Sequence, residues 1–228
     1  MPSESFSLPL LSGVVYTTLL NHRPQLAALG DTVHAAPYKA PPQHPVLGIK
    51  PHNTLAADGD ALVVPPGFDA VEIGASLGLV VGRTACRVSA DEALSYLAGY
   101  VLVNEVSLPR DSQDRHYRPS VRFMARDGYC PISATVVPTE EVVAPDDLGV
   151  RVWIDGVLVR HTTTGDRLRP VAALLADVTA FMTLQPGDVL TLGAAADAPL
   201  ARIGQTVEIE IDGLGRLHHT VVAEGSAA

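Results

Sequence analysis

The sequence predicts a strand-rich α+β fold, and three observations predict it. Its 18 prolines and 19 glycines are spread along 228 residues, the punctuation of many short strands joined by turns. Hydrophobic residues make up 47% of the chain and aromatics only 5%, so the core is mostly Val, Leu, Ala and Ile. Val207, Ile209 and Ile211 alternate with Glu208 and Glu210, the period of a half-buried strand. The length suits one domain with a substantial core, residues 12–228, preceded by an N-terminal extension, residues 1–11.

Taken in order, residues 12–20 predict a strand, carried by Val14, Val15 and Tyr16. Asn21 is a good N-cap for a short helix over residues 23–29, closed by Gly30. Residues 37–45 (PYKAPPQHP) are loop, and 46–50 a short strand. Turns follow at Asp58-Gly59 and around Gly67, then an apolar run from Leu77 to Val81 that ends at Gly82. Ser89 and Glu92 form a capping-box pattern that predicts a helix to about Ala98, ended by Gly99. Tyr100 to Val106 is apolar enough for a buried strand. Residues 108–126 show no period and many charges, and predict a long loop or lid. Residues 151–160 predict a hairpin turning at Asp155-Gly156. Val171, Leu174, Leu175, Val178 and Met182 keep helical spacing behind Pro170, a residue tolerated in a first turn. Strands close the chain at 189–192, 207–211 and 217–222, the last two joined by the turn Asp212 to Gly215.

The net charge of −9 gives no electrostatic reason to expect nucleic acid or an anionic membrane as a partner. Cys86 and Cys130 make no disulfide framework and no CxxC pair, which fits a reducing cytoplasm. No apolar run reaches transmembrane length, and residues 1–13 lack the basic region of a secretory leader.

The chemistry-bearing stretch is Asp69 to Thr84 (DAVEIGASLGLVVGRT), taken with Asn104 to Ser107 (NEVS). Gly74 and Ser76 stand two apart, so on a strand they share a face. Carboxylates there, joined by a third from a later strand, would make an oxygen site for a hard dication. Here the pair is glycine and serine, and Glu105 alone supplies an anionic oxygen. Glu72 shares the face and is either a displaced ligand or an ordinary strand residue, its Cα about 7 Å from that of Gly74 at strand rise. Glu105 is either a general base in a semi-apolar pocket or a carboxylate bound by backbone or arginine. Lys50, Arg122 and Arg126 either clamp a dicarboxylate or are solvated charges. His218 and His219, being adjacent on a strand, face opposite ways and cannot chelate together. Cys130 is a core thiol, since no paired histidine is evident. His22 and His116, in the lid regions, are possible proton donors.

The chain resembles the fumarylacetoacetate hydrolase family in seven pieces, in family order, between about residues 12 and 222. They are Ile49-Lys50-Pro51, Leu79 to Ala85 (LVVGRTA), Ala98-Gly99-Tyr100, Asn104 to Ser107, Cys130-Pro131-Ile132, Leu184 to Asp188 (LQPGD) and Ile211 to Gly215 (IDGLG). A narrower likeness, to the amino-terminal half of the two-domain isomerase/decarboxylases of 4-hydroxyphenylacetate (homoprotocatechuate) degradation, is carried by four more. These are Leu20 to Gln25 (LNHRPQ), Pro37 to Pro42 (PYKAPP), Val106 to Pro109 (VSLP) and Arg126 to Pro131 (RDGYCP).

The resemblance implies a mixed β-roll with a few short helices and a pocket lined by strand ends. It implies that members hold Mg²⁺ or Mn²⁺ through a Glu-x-Glu pair and a later Asp, and that these positions match Gly74, Ser76 and Glu105. The lid His and Glu that activate water match Gln25 and Ala28. A family Lys matches Met124, the Gly-Thr-Pro loop matches Gly193-Ala194-Ala195, and Lys50 is retained. The expectation is therefore a substrate pocket formed by Lys50, Asn104 and Arg126, with Glu105 as the one catalytic candidate and no metal held by this chain. Mg²⁺ or Mn²⁺ is expected instead in a sister subunit. The substrate is a small 2-oxo or 2-hydroxy-dienoic diacid, and the assembly a homodimer or a heteromer with the sister chain. The alternative is a catalytically inactive partner of a metal-bearing subunit.

Overall fold

The computed structural model describes residues 13–110 and 121–226. The expected extension at 1–11 and His116 lie outside the described residues. The strands are β1 (Val15–Leu19), β2 (Val46–Lys50), β3 (Leu55–Ala56), β4 (Leu62–Val64), β5 (Ala70–Glu72), β6 (Ala75–Val81) and β7 (Leu97–Asn104), then β8 (Cys130–Pro131), β9 (Gly149–Ile154), β10 (Val157–Thr163), β11 (Val189–Thr191), β12 (Leu200–Arg202), β13 (Thr206–Ile211) and β14 (Gly215–Ala223). Three short helices accompany them, α1 (Arg23–Ala28), α2 (Val121–Met124) and α3 (Val171–Thr179).

The strands form two five-stranded sheets, ordered β2-β1-β11-β6-β7 and β10-β9-β13-β14-β4, with two small two-stranded ladders, β12-β5 and β3-β8. β1 pairs in parallel with β11 and β14 with β4, and the remaining ladders of both large sheets are antiparallel. The sheets are mixed and strand-rich, as expected.

One large core lies between the sheets. It joins Leu77, Leu79 and Leu102 of the first to Val152, Ile209 and Leu217 of the second. β9 and β13 alternate buried with part-exposed or exposed positions because only one of their faces meets this core. β6 differs. All seven of its residues are buried, because Val80, Val101 and Val103 on the far face of the β6–β7 pair meet a second cluster with Cys130, Ile132 and Val136. A strand covered on both faces reads as a continuous apolar run, which is how residues 77–81 read. The predicted hairpin forms, with Asp155 at φ 50° and Gly156 at φ 76°, the left-handed pair that a two-residue turn requires. α3 buries Val171, Leu174, Leu175 and Val178 as its spacing predicts.

Two helix expectations fail. Residues 93–96 make a single 3₁₀ turn, and Leu97 and Ala98 already belong to β7. Ser89 Oγ bonds the Glu92 carboxylate at 2.8 Å rather than an amide. A ladder with β6 that runs from Leu97 to Asn104 satisfies backbone groups in the core, and a short surface helix cannot compete with it. Asn21 does not cap α1. The residue before that helix is His22, without a side-chain cap, while Asn21 bonds the carbonyls of Leu192 and Arg169 and the amide of Arg169. A buried amide side chain is better used tying β1 to the chain that leads into α3.

Candidate functional site

The site sits where β6 and β7 end side by side. Ala75 pairs with Asn104, and one residue beyond, the Glu105 amide donates to the Gly74 carbonyl at 2.8 Å. The two strands therefore bring positions 74 and 105 together, as the sequence predicts for a shared site. A cavity of ≈ 100 Å³ opens here, walled in part by Thr18, Gln25, Lys50, Glu72, Glu105 and Arg110. Met124, Ala194 and Ala195 also line it, as do Gly74 and Ser107.

Glu105 is part-buried in the wall. Its carboxyl accepts a hydrogen bond from Thr191 Oγ1 at 2.6 Å, which the β11 backbone delivers from the strand beside β6. Burial pushes the Glu105 carboxyl above its ordinary value of 4.5, and the Thr191 hydroxyl and the Lys50 charge pull against that rise. Glu105 is thus a hydrogen-bonded acid whose partner is a threonine hydroxyl rather than backbone or arginine, with its pKa held up by burial.

Lys50 is 2% exposed. Its ammonium donates to three backbone carbonyls, Val106 at 2.6 Å, Met124 at 2.7 Å and Tyr129 at 2.9 Å. All three protons are used. Burial lowers the Lys50 pKa to about 8, with Cys130 and Glu105 opposing. Lys50 therefore lends its charge to the cavity, and its donors bind Val106, Met124 and Tyr129 to β2.

The other expected residues are placed differently. Asn104 is fully buried but outside the cavity wall, its Oδ1 accepting from the Gly74 amide at 3.1 Å. Arg126 is also outside it, 3.7 Å from the Glu224 carboxylate, with its side chain 31% exposed. The arginine at the cavity is Arg110, whose guanidinium lies 5.7 Å from the Phe123 ring centre. Loop residues without periodicity cannot be assigned to a wall from sequence, which is why Arg126 and Arg110 exchange places. Arg122 is exposed on α2. Glu72 does line the cavity and accepts from Ser107 Oγ at 2.6 Å, yet it ends β5 and pairs across β12, not as a continuation of β6.

The histidines and Cys130 have bland environments. His219 is buried and His218 exposed, as adjacent strand residues must be. Burial pushes the Cys130 thiol up to about 12. His22 is 2% exposed, and its Nδ1 accepts from the Ala196 amide at 3.1 Å. Burial, and then the Arg167 guanidinium, bring His22 down to about 4, so it is neutral and a poor proton donor at pH 7.

The positions that the resemblance assigns to a dication do not fit one. A Cβ on Gly74 would stand 2.6 Å from the Glu105 carbonyl oxygen and 3.1 Å from Ala194 Cβ. No side chain, let alone a carboxylate, has room there. Ser76 Oγ is buried near the Glu105 carboxyl without a hydrogen bond of ordinary geometry. Among the described residues no three His, Cys, Asp or Glu side chains gather into a cation site. A hard dication needs about six oxygens and several carboxylates, and this donor set supplies too few.

Sequence reasoning missed Thr191 and Arg167. Thr191 is a polar residue inside an apolar strand, a signal that was available. Arg167 is 2% exposed, and nothing in its surroundings (TGDRLRP) marks it as buried.

The fumarylacetoacetate hydrolase C-terminal family model matches residues 14–222. The 4-hydroxyphenylacetate degradation bifunctional isomerase/decarboxylase of Salmonella dublin is 39% identical over 218 residues, covering 96% of this chain and 49% of that protein. The chain spans about half the length of the curated relatives it matches. Among solved structures, 2-hydroxyhepta-2,4-diene-1,7-dioate isomerase from Mycobacterium marinum superposes with a TM-score of 0.76 at 28% identity, over 96% of this chain and 77% of that one. The 5-carboxymethyl-2-hydroxymuconate delta-isomerase from Mycobacterium smegmatis does so with a TM-score of 0.76 at 25% identity, over 95% and 81%. With the family model matching residues 14–222 and both solved relatives superposing over nearly all of it, this chain belongs to the fumarylacetoacetate hydrolase family.

Proposed function

We propose that this chain is the isomerase-bearing component of an isomerase/decarboxylase acting in the cytoplasm on a small 2-hydroxy-dienoic or 2-oxo diacid, with Glu105 as its acid–base group and no metal in its own pocket. The observation that carries this reading is the Glu105 carboxyl: raised by burial, oriented by Thr191 and open to a cavity that Lys50 and Arg110 also line. Moving a proton along a conjugated dienol needs one such group. The carboxylate accepts the enol hydroxyl proton as the electrons shift, and the carboxyl so formed gives a proton to the far carbon of the diene. Lys50 and Arg110 offset the charges of Glu72 and Glu105 at the cavity, which lessens the repulsion a dianionic substrate meets.

Decarboxylation is more demanding. Loss of CO₂ from a carbon conjugated with the keto group leaves a dienolate, which a dication stabilises in the family at large. The closed position at Gly74 favours placing Mg²⁺ or Mn²⁺ in a sister subunit, joined to this chain in a heteromer or functioning beside a homodimer of it. The same closure, with the pinned Lys50, supports the second reading, a catalytically inactive partner that completes the sister's assembly.

One assay separates them. Isomerisation and decarboxylation are followed with the chain alone in EDTA, with Mg²⁺ added, and with the sister chain added. Isomerase turnover in EDTA that falls by about 10²–10⁴ in Glu105→Gln is the expected result. Full decarboxylation by the lone chain in EDTA would refute the proposal, and silence in both reactions selects the inactive partner.

A further inference from the structure

The loop after β11, residues 193–198, forms one wall of the cavity through Ala194, Ala195 and Ala198. It is gripped from behind by three side chains, two that donate and one that accepts. Arg167 Nη2 donates to the Gly193 carbonyl at 3.0 Å, Arg160 Nη2 to the Ala196 carbonyl, and the Ala196 amide to His22 Nδ1 at 3.1 Å. Arg167 is the anomaly among them. It is the largest fully buried side chain, no carboxylate lies within ion-pair distance among the described residues, and its Nε and Nη1 have no hydrogen-bond partner. A buried, unpaired guanidinium is costly and is normally matched by an anion. Asp166 and Glu105 are the acids that act on it, the latter across the wall.

We propose that Arg167 takes over the electrostatic part of the dication's role, a permanent buried cation behind the Gly193–Ala195 wall that lets the pocket hold a small dianionic 2-oxo acid or its enediolate without metal. The proposal deepens the metal-free reading above and rests on it. Three observations support it. The seat of a dication is closed at Gly74, so positive charge must come from the protein. Lys50 has spent its donors on three carbonyls, whereas Arg167 has spent only one of its nitrogens. The charged side chains that line the cavity balance, Lys50 and Arg110 against Glu72 and Glu105, so a positive excess can come only from behind the wall, where Arg167 and Arg160 stand with Asp166 and Asp197. Arg167 acts through the wall and through Glu105 and does not line the cavity, so it is a positioning residue. Guanidinium also keeps its charge across the working pH range where an ammonium would not.

The test uses oxalate, a planar dianion with the two-oxygen face of an enediolate, titrated calorimetrically into the whole chain in EDTA. Binding requires no turnover, so it is read independently of isomerase activity. Arg167→Gln keeps a donor for the Gly193 carbonyl and loses the charge, and Arg167→Lys keeps the charge. The expected result is binding by the parent, a loss of roughly tenfold or more in Arg167→Gln, and recovery of most of it in Arg167→Lys. Equal affinity in the parent and a folded Arg167→Gln would overturn the proposal. Binding only after Mg²⁺ is added would overturn it together with the metal-free reading. Binding in EDTA with the expected variant pattern, but without isomerase turnover, would uphold the role of Arg167 and refute the isomerase reading alone. Should the variants not fold, the Arg167 Nε–H resonance of the unmodified protein supplies the same test: it moves on saturation with oxalate if the proposal holds, and stays in place if it does not.

Discussion

The two walls of the cavity have opposite characters. At the Gly74 wall the backbone itself closes the position: a Cβ at residue 74 would stand 2.6 Å from the Glu105 carbonyl. At the Lys50–Glu105 wall the charges remain, each held by hydrogen bonds from its own surroundings. A charge can be restored or removed by one substitution. A position closed by backbone approach cannot be reopened by a new side chain, because the neighbouring strand would have to move. Two adjacent strand ends can therefore inherit the same pocket and differ in whether the pocket's chemistry is still reachable.

The comparison breaks most readily at Lys50. Lys50→Met removes the charge but leaves three carbonyls that lose their donor, and a cost of about 3–5 kcal/mol in urea unfolding is expected. A loss under 1 kcal/mol would mean that the ammonium is not the tie between β2 and Val106, Met124 and Tyr129.

A smaller effect is expected across the cavity. Gly74→Ala should cost about 1–3 kcal/mol from overpacking against the β7 end. Gly74→Glu combined with Ser76→Glu and Glu105→Asp, which rebuilds the family's oxygen set on paper, should unfold at the same temperature with and without Mn²⁺. A melting temperature raised by Mn²⁺ would show that the closed wall can open.

Glu105→Gln sharpens the contrast through pH. A carboxyl whose folded pKa is raised stabilises the fold fully below its unfolded value and loses that contribution as pH rises through the folded value. The melting temperatures of the parent and Glu105→Gln should therefore agree below pH 4.5 and separate above it, with the variant the more stable at pH 7. Curves that stay parallel from pH 4 to 8 would show that Glu105 is not desolvated. Arg126→Ala should do least. Its partner Glu224 is 52% exposed at 3.7 Å, and exposed pairs contribute about 0–1 kcal/mol, so neither stability nor oxalate binding should change measurably.

Much of the site was legible because it is built on strands. Gly74, Ser76 and Glu105 could be assigned to neighbouring strand ends from apolar runs and resemblance, and the ladder places them so. Lys50 was legible as a pocket residue, though its three carbonyl partners were not, since hydrogen bonds across 56 to 79 residues leave no local pattern. Arg126 was misplaced for the same reason that Arg110 was overlooked: both lie in aperiodic chain. Residues 93–98 carry a sound local helix signal, and the ladder with β6 overrides it.

The sequence by itself determined the strand and turn framework, the amphipathic helix α3, the opposite faces of His218 and His219, and the absence of carboxylates at positions 74 and 76. Each of these follows from a period or a residue identity that local chain geometry converts into a direction. Only the tertiary structure decided that Gly74 has no room for any side chain, that the Lys50 donors are consumed, and that Arg167 is buried behind the cavity wall. Those outcomes depend on how closely distant segments approach one another, and that distance is set by packing of the two sheets and the loop after β11.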